Sequence, residues 1–264
     1  MNRSVTDSTV HGKIIYEQPL NERIRTFLRL EFLFKQAKHH LQGHSPWDSR
    51  ATLASVLDIL NIFSRADLKT EVMKELERQV GAIAKLENSP GIDRAKLNEI
   101  LDQMDVLVDR LHSLQGQSGQ SLKHNEFLTS IRQRSSIPGG TCDFDLPAYH
   151  YWLQQPSEAR LQELEQWLSE FDALELSINM ILRLVRESAT PATEVAHNGF
   201  YQQSLDTNVP YQLIRVAVSR DIRYYAEISG GKHRFTVRFM EQRDDDRAVQ
   251  SDEDIPFDLT CCAL

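Results

Sequence analysis

The chain predicts an α+β fold, a mostly helical domain joined to a smaller antiparallel β-rich domain. Two observations carry this. Apolar residues recur at helical spacing over most of residues 22–186, and from Thr193 onward the spacing becomes the alternation of strands. With 41% apolar and 26% charged residues among 264, the composition is that of an ordinary globular protein. The expected division is a polar extension over 1–12, a helical domain over 13–191 whose short N-terminal strand can join the sheet, and a β-rich domain over 192–264.

Lys13 to Gln18, KIIYEQ, reads as a strand ended by Pro19. Asn21 can cap the helix over 22–41, with Glu22 in its first turn. That helix is apolar around much of its circumference and is expected to be largely buried. Arg25, Arg29, Phe32 and Gln36 fall on one narrow face of it, a cationic stripe with Glu22 as the only nearby acid. Helices follow over 47–63 (Ala51, Ala54, Leu57, Leu60), over 67–86 (Leu68, Val72, Leu76, Val80, Ile83) and over 94–114. Ser89-Pro90-Gly91 is a turn and Asp93 an N-cap. Residues 116–121, GQSGQS, read as a flexible link. Further helices are expected over 125–134, from Leu146-Pro147 to Leu153, over 158–171 capped by Ser157, and over 173–186.

Strands are expected over 195–203, 211–219, 223–229, 233–241 and 255–262. In the fourth, Phe235, Val237 and Phe239 alternate with Arg234, Thr236, Arg238 and Met240. Gly230-Gly231 is a two-residue hairpin signal. With that loop, Glu227 faces Arg234 and Arg223 faces Arg238, and like charges directly opposite are destabilising. An outside anion would relieve them. Residues 242–254 read as a solvated acidic loop that can screen the basic face.

Charge and motifs limit the function classes. The formal net charge of −8 disfavours general nucleic-acid binding. It is uneven: residues 13–41 hold six Lys/Arg against three Glu, and 242–258 hold two Arg against seven acids. Such a surface suits a specific anionic partner. No apolar run reaches the ~20 residues of a membrane span, and the polar N-terminus lacks a secretion signal. A reducing cytosol with Cys142, Cys261 and Cys262 free is the expectation. His39, His40 and His44 have no ligand partners at metal spacing, so no metal is expected. No phosphate-binding, dinucleotide-binding or hydrolase motif is present, so neither cofactor nor enzyme activity is expected. Cys142 with His150 would be a nucleophile and base, but nothing in the sequence orients the histidine. Asp143 and Asp145 flank Phe144 without a further acid–base partner.

Ile131 to Trp152, IRQRSSIPGGTCDFDLPAYHYW, is chemically the most particular stretch. Ile137-Pro138-Gly139-Gly140 forbids a helix and permits either positive φ or close backbone approach. It reads as a corner between helices and sheet that presents Arg132 and Arg134, with Tyr149 and Trp152 as core behind it.

LNERIRTFLRLEFL, RQRSSIPGG, NGFYQ, ISGGKHRFTVRFM and FDLTCC, in this order and spacing, resemble the ZapD family of cell-division proteins from about Ile14 to Cys262. The first twelve residues and Ala263-Leu264 fall outside the resemblance. It implies a cytoplasmic, non-enzymatic protein at the mid-cell division site. Such a protein forms a symmetric homodimer, binds the C-terminal tail of FtsZ through a basic groove and cross-links FtsZ protofilaments into bundles. Carried over by motif, the groove residues are Arg25, Arg29, Arg132, Arg134, Lys232, Arg234 and Arg238; the hairpin adds Arg223. Phe32 or Tyr225 would hold apolar side chains of the tail. The competing reading of the same pocket is an anion-binding regulator. Asp254-Ile255-Pro256-Phe257 resembles part of the FtsZ tail and reads either as a self-ligand or as the opening of the last strand.

Overall fold

The computed structural model describes residues 12–64, 67–85, 93–114, 116, 118–243 and 247–264. Nearly all of the polar extension, the turn at Ser89-Pro90-Gly91, Leu86, Gln117 of the link and 244–246 of the acidic loop lie outside the described residues. The chain divides into two compact units. One comprises residues up to Thr26 with Leu182–Leu264, and the other is Phe27–Ile181.

The first unit is built on two antiparallel sheets. Sheet A runs β1 (Lys13–Pro19), β4 (Tyr211–Ser219), β8 (Ile255–Ala263), β2 (Ala192–Ala196). Sheet B runs β3 (Phe200–Ser204), β6 (Arg234–Glu241), β5 (Tyr225–Gly230), with β7 (Val249–Gln250) also on β6. Strict alternation sends Ile214, Val216 and Val218 of β4 and Phe235, Val237 and Phe239 of β6 into one shared core. Each large side chain buried there contributes about 1.5–3 kcal/mol. Ile255 and Phe257 belong to this core, so the Asp-Ile-Pro-Phe segment opens the last strand and is no self-ligand.

On the outer face of sheet A, Glu17 and Arg215 are register partners. Glu17 accepts two hydrogen bonds at 2.8 Å from Arg186 and one at 2.9 Å from Arg215. Arg186 lies on α9 (Asp172–Glu187), so a single carboxylate ties a helix to two strands.

The expected strand over 195–203 is two strands in different sheets. Asn198 and Gly199 both have positive φ, 49° and 67°, and turn the chain between β2 and β3. The hairpin register also differs from expectation. Gly231 N donates to Arg234 O, so Lys232-His233 forms the tip, and Glu227 pairs with Arg238 rather than Arg234. Arg223 precedes β5 and has no strand partner. The proposed Arg223–Arg238 opposition is therefore absent.

The second unit is helical. Helix α1 (Glu22–His40) runs from one unit into the other, and Asn21 Oδ1 accepts from Ile24 N at 2.9 Å as its cap. It buries a stripe of Ile24, Phe27, Leu30, Phe34 and Ala37. Contrary to expectation it is not largely buried, and Arg29 and Phe32 stand exposed. Ser45 and Asp48 form a capping box on α2 (Pro46–Phe63), whose Ala54 is exposed. Helix α3 (Leu68–Ala84) packs on α4 (Arg94–Ser113), which Asp93 caps.

The 116–121 segment is not an open link: α5 (Gln120–Lys123) begins within it and Ser121 bonds Glu170. Then come α6 (Glu126–Ser135), α7 (Pro147–Leu153) and α8 (Ser157–Ser169). The N-cap of α8 is Pro156, with Ser157 already helical. Arg160 is buried and donates to Ser49 Oγ and to the carbonyls of His44, Leu153 and Gln155. No carboxylate is among these acceptors; four neutral oxygens share the charge.

Candidate functional site

Lys232, Arg234 and Arg238 lie along one hairpin. Arg234 and Arg238 stand on the outer face of sheet B because Phe235, Val237 and Phe239 take the inner one. Among the described residues, the Lys232 and Arg234 side chains have no ion-pair partner. Arg238 Nη2 lies 3.5 Å from Glu227 Oε2, with the two side chains 52% and 45% exposed. On the same face, Phe200 of β3 flanks Arg238 and Ser204 flanks Arg234.

Arg223 sits at the other end of the β5–β6 ladder and is internally satisfied. It reaches Glu241 at 3.2 Å, Glu253 at 2.9 Å and the Tyr224 hydroxyl at 2.8 Å. The Tyr224 bond, then the Glu241 charge, raise its pKa. Its expected role as a frustrated cation fails for a physical reason. Glu241 and Glu253 converge on it from separate segments.

The remaining cations are on helices. Arg25 pairs with Glu22 at 3.1 Å, the local pairing that its face allowed. Arg29, one turn on, has no ion-pair partner among the described residues and stands beside Phe32, which is 63% exposed. Arg132 and Arg134 occupy the last turn of α6, as expected. Arg134 lies 3.7 Å from Asp145, and Arg132 has no ion-pair partner among the described residues. Arg29, Arg132 and Arg134 belong to the helical unit, and Arg25, Arg223, Lys232, Arg234 and Arg238 to the β unit.

The corner at 137–140 uses its glycines in the two ways anticipated. Gly139 has φ +71°, and a Cβ on Gly140 would stand 2.5 Å from the Arg134 carbonyl oxygen. The corner joins two helices within one unit, not helix to strand. Tyr149 and Trp152 are core and stack at 5.9 Å, whereas Phe144 and Tyr151 are 84% and 70% exposed. Arg50 sits over the Tyr149 ring at 4.8 Å and donates to Thr141 O, which pins the corner.

His150 does have an orienting carboxylate, Asp143 at 2.9 Å. The Cys142 thiol points elsewhere, donating to Asp145 Oδ2 at 3.3 Å, so no nucleophile–base pair forms. Among the described residues no cluster of three or more ligating side chains could hold a metal.

Sequence reasoning set Glu227 against the wrong arginine, missed Glu241 and Glu253 as the acids that answer Arg223, and missed Phe200. The Asn198-Gly199 dipeptide was the available signal for Phe200, because it marks a turn that makes Phe200 the first residue of an edge strand.

The model of the ZapD family, described as cell division protein, matches residues 28–238. A cell division protein ZapD of Methylococcus capsulatus is 47% identical over 253 residues, covering 96% of this chain and 99% of that protein. Cell division proteins ZapD of two Coxiella burnetii strains, RSA 331 and RSA 493, are each 41% identical over 253 residues, covering 95% of this chain and 98% of theirs. With a match of this extent and identity, the chain belongs to the ZapD family of cell division proteins.

Proposed function

We propose that the protein is a non-enzymatic adaptor of cell division that binds the acidic C-terminal tail of FtsZ and cross-links FtsZ filaments. Family membership supports the division role. The observation that carries the binding reading is the outer face of sheet B, where Lys232 and Arg234 have no ion-pair partner among the described residues and Arg238 has a loose, exposed pair. Arginine forks recognise carboxylates bidentately, so such a face selects an acidic peptide over a neutral one. Arg29 and Arg132, without ion-pair partners among the described residues, are further cations suited to an acidic peptide. Action in the cytoplasm at mid-cell follows from this partner. Among the described residues no helix is long and apolar enough to cross a membrane.

Cross-linking needs two sites per particle, which a two-fold dimer supplies. A groove of about 620 Å³ on the helical unit is the seat we assign to a second copy. Val106 of α4 and Leu176 of α9 line it, 51% and 45% exposed. Asp102 and Arg110 lie equally far on either side of Val106. An antiparallel pairing of α4 about a two-fold at Val106 sets Asp102 of each copy against Arg110 of the other.

Co-sedimentation with assembled FtsZ, together with analytical ultracentrifugation, tests this reading. The native protein should be a dimer that pellets FtsZ in bundles at low salt. Val106→Arg should be a monomer that still binds the tail peptide but no longer bundles. A Val106→Arg dimer, or a bundling monomer, would refute the assignment of the interface.

A further inference from the structure

We infer that β3 is the edge at which the acidic peptide is held, as an additional strand of sheet B. This rests on the tail-binding reading and specifies how the peptide docks. Phe239 N donates to Gly199 O, and Leu205 N donates to His233 O, both at 2.8 Å. In an antiparallel ladder, alternate residues share the bonds. Residues 199, 201, 203 and 205 therefore face β6, and Phe200, Gln202 and Ser204 turn their backbone groups the other way. The Phe200 amide is taken by His197 O at 3.0 Å. The N–H and C=O groups of Gln202 and Ser204 have no protein partner among the described residues, and both residues are exposed. Such an edge is a template for an extended chain.

Of the four edges among the described residues, β3 and β5 both flank β6 and its arginines, but β5 sets Glu227 against Arg238 and β3 brings no acid of its own. On β1, Glu17 is bound by two arginines and Lys13 by Asp258. The β2–β8 ladder carries Glu194 and Asp258. On β5, Gly230 is packed against Leu20. Beside β3, in contrast, Ser204 is level with Arg234 and Phe200 with Arg238. A strand added outside β3 lies about 10 Å from β6, two strand spacings away. Extended arginine and glutamate side chains together cover that distance. The peptide that fits is extended, with a carboxylate level with Arg234 and, four residues away on the same face, an apolar side chain against Phe200.

The test uses the full-length protein and a synthetic peptide of the FtsZ C-terminal tail. Hydrogen exchange at the Gln202 and Ser204 amides should slow at least about tenfold at saturation. The Tyr201 and Gln203 amides, already bonded to β6, should change little. Gln202→Pro removes one outward donor, which an edge strand tolerates, and should weaken binding about tenfold, the upper range for one hydrogen bond. Arg234→Ala should weaken binding as well. If Arg234→Ala weakens binding while exchange at Gln202 and Ser204 is unchanged, the edge docking is overturned and the tail-binding reading stands. If the native protein does not bind the peptide at all, both are overturned.

Discussion

Replacing Glu227 by glutamine should strengthen binding of the acidic tail, although it removes an ion pair. Glu227 is the internal competitor for Arg238, at 3.5 Å. Two unit charges at that separation in a water-like medium attract by about 1 kcal/mol. A Debye length of about 8 Å at physiological ionic strength trims this only modestly. Exposed pairs of this kind measure about 0.2–1 kcal/mol, and both side chains are half exposed, so the lower figures apply as readily as the higher. Releasing the competition should then raise affinity about 1.4- to fivefold at low salt. The gain should shrink as salt is added, because the freed charge acts across solvent. The fold should be nearly indifferent: the pair is worth at most about 1 kcal/mol, a melting shift of a few degrees. Fluorescence anisotropy of a labelled FtsZ tail peptide over a salt series measures the first effect, and a thermal melt the second. Unchanged or weaker binding by Glu227→Gln at low salt would refute the reasoning, since Arg238 would then not be the group the peptide reaches.

Three further predictions concern Glu17 and the cysteines. Glu17→Gln leaves Arg186 and Arg215 without their shared carboxylate in a partly buried site, and should cost about 2–4 kcal/mol in urea denaturation; a loss below about 0.5 kcal/mol would show that solvent already satisfies both arginines. Burial pushes the Cys261 thiol up to about 11 and the Cys262 thiol to about 12. At pH 8 a thiol reagent should therefore modify Cys142 alone until the protein unfolds. Because the folded state keeps these protons where the unfolded state has lost them, stability is complete below pH 9 and should fall as pH rises towards 12. A flat alkaline limb would contradict the burial of these thiols.

What the sequence made legible was local. Asn21 and Asp93 cap the helices they precede because a short polar side chain finds orphan amides two or three residues on. Phe235, Val237 and Phe239 alternate inward because the strand period is two. The hairpin register was not legible. Gly230-Gly231 and Lys232-His233 both permit a turn, and only packing across sheet B chooses between them. Since both registers keep the same residues on the same face, the inner core was read correctly while every cross-strand charge pair was misassigned. Arg223 shows the same limit at longer range: its partner Glu253 is 30 residues away, and no periodicity connects them. For the site, the residue types and their strand were visible in advance, but which cations are already neutralised depends on contacts that only the fold brings together.

The most direct measurement is a titration of the labelled FtsZ tail peptide against the native protein and the charge-reversed variants Arg234→Glu and Arg238→Glu, with thermal melts run on the same samples. Saturable binding to the native protein that weakens with salt, and its loss in both variants without a change in melting temperature beyond a few degrees, is the expected result. Native-like binding by either reversed variant would contradict the assignment of the peptide to the outer face of sheet B.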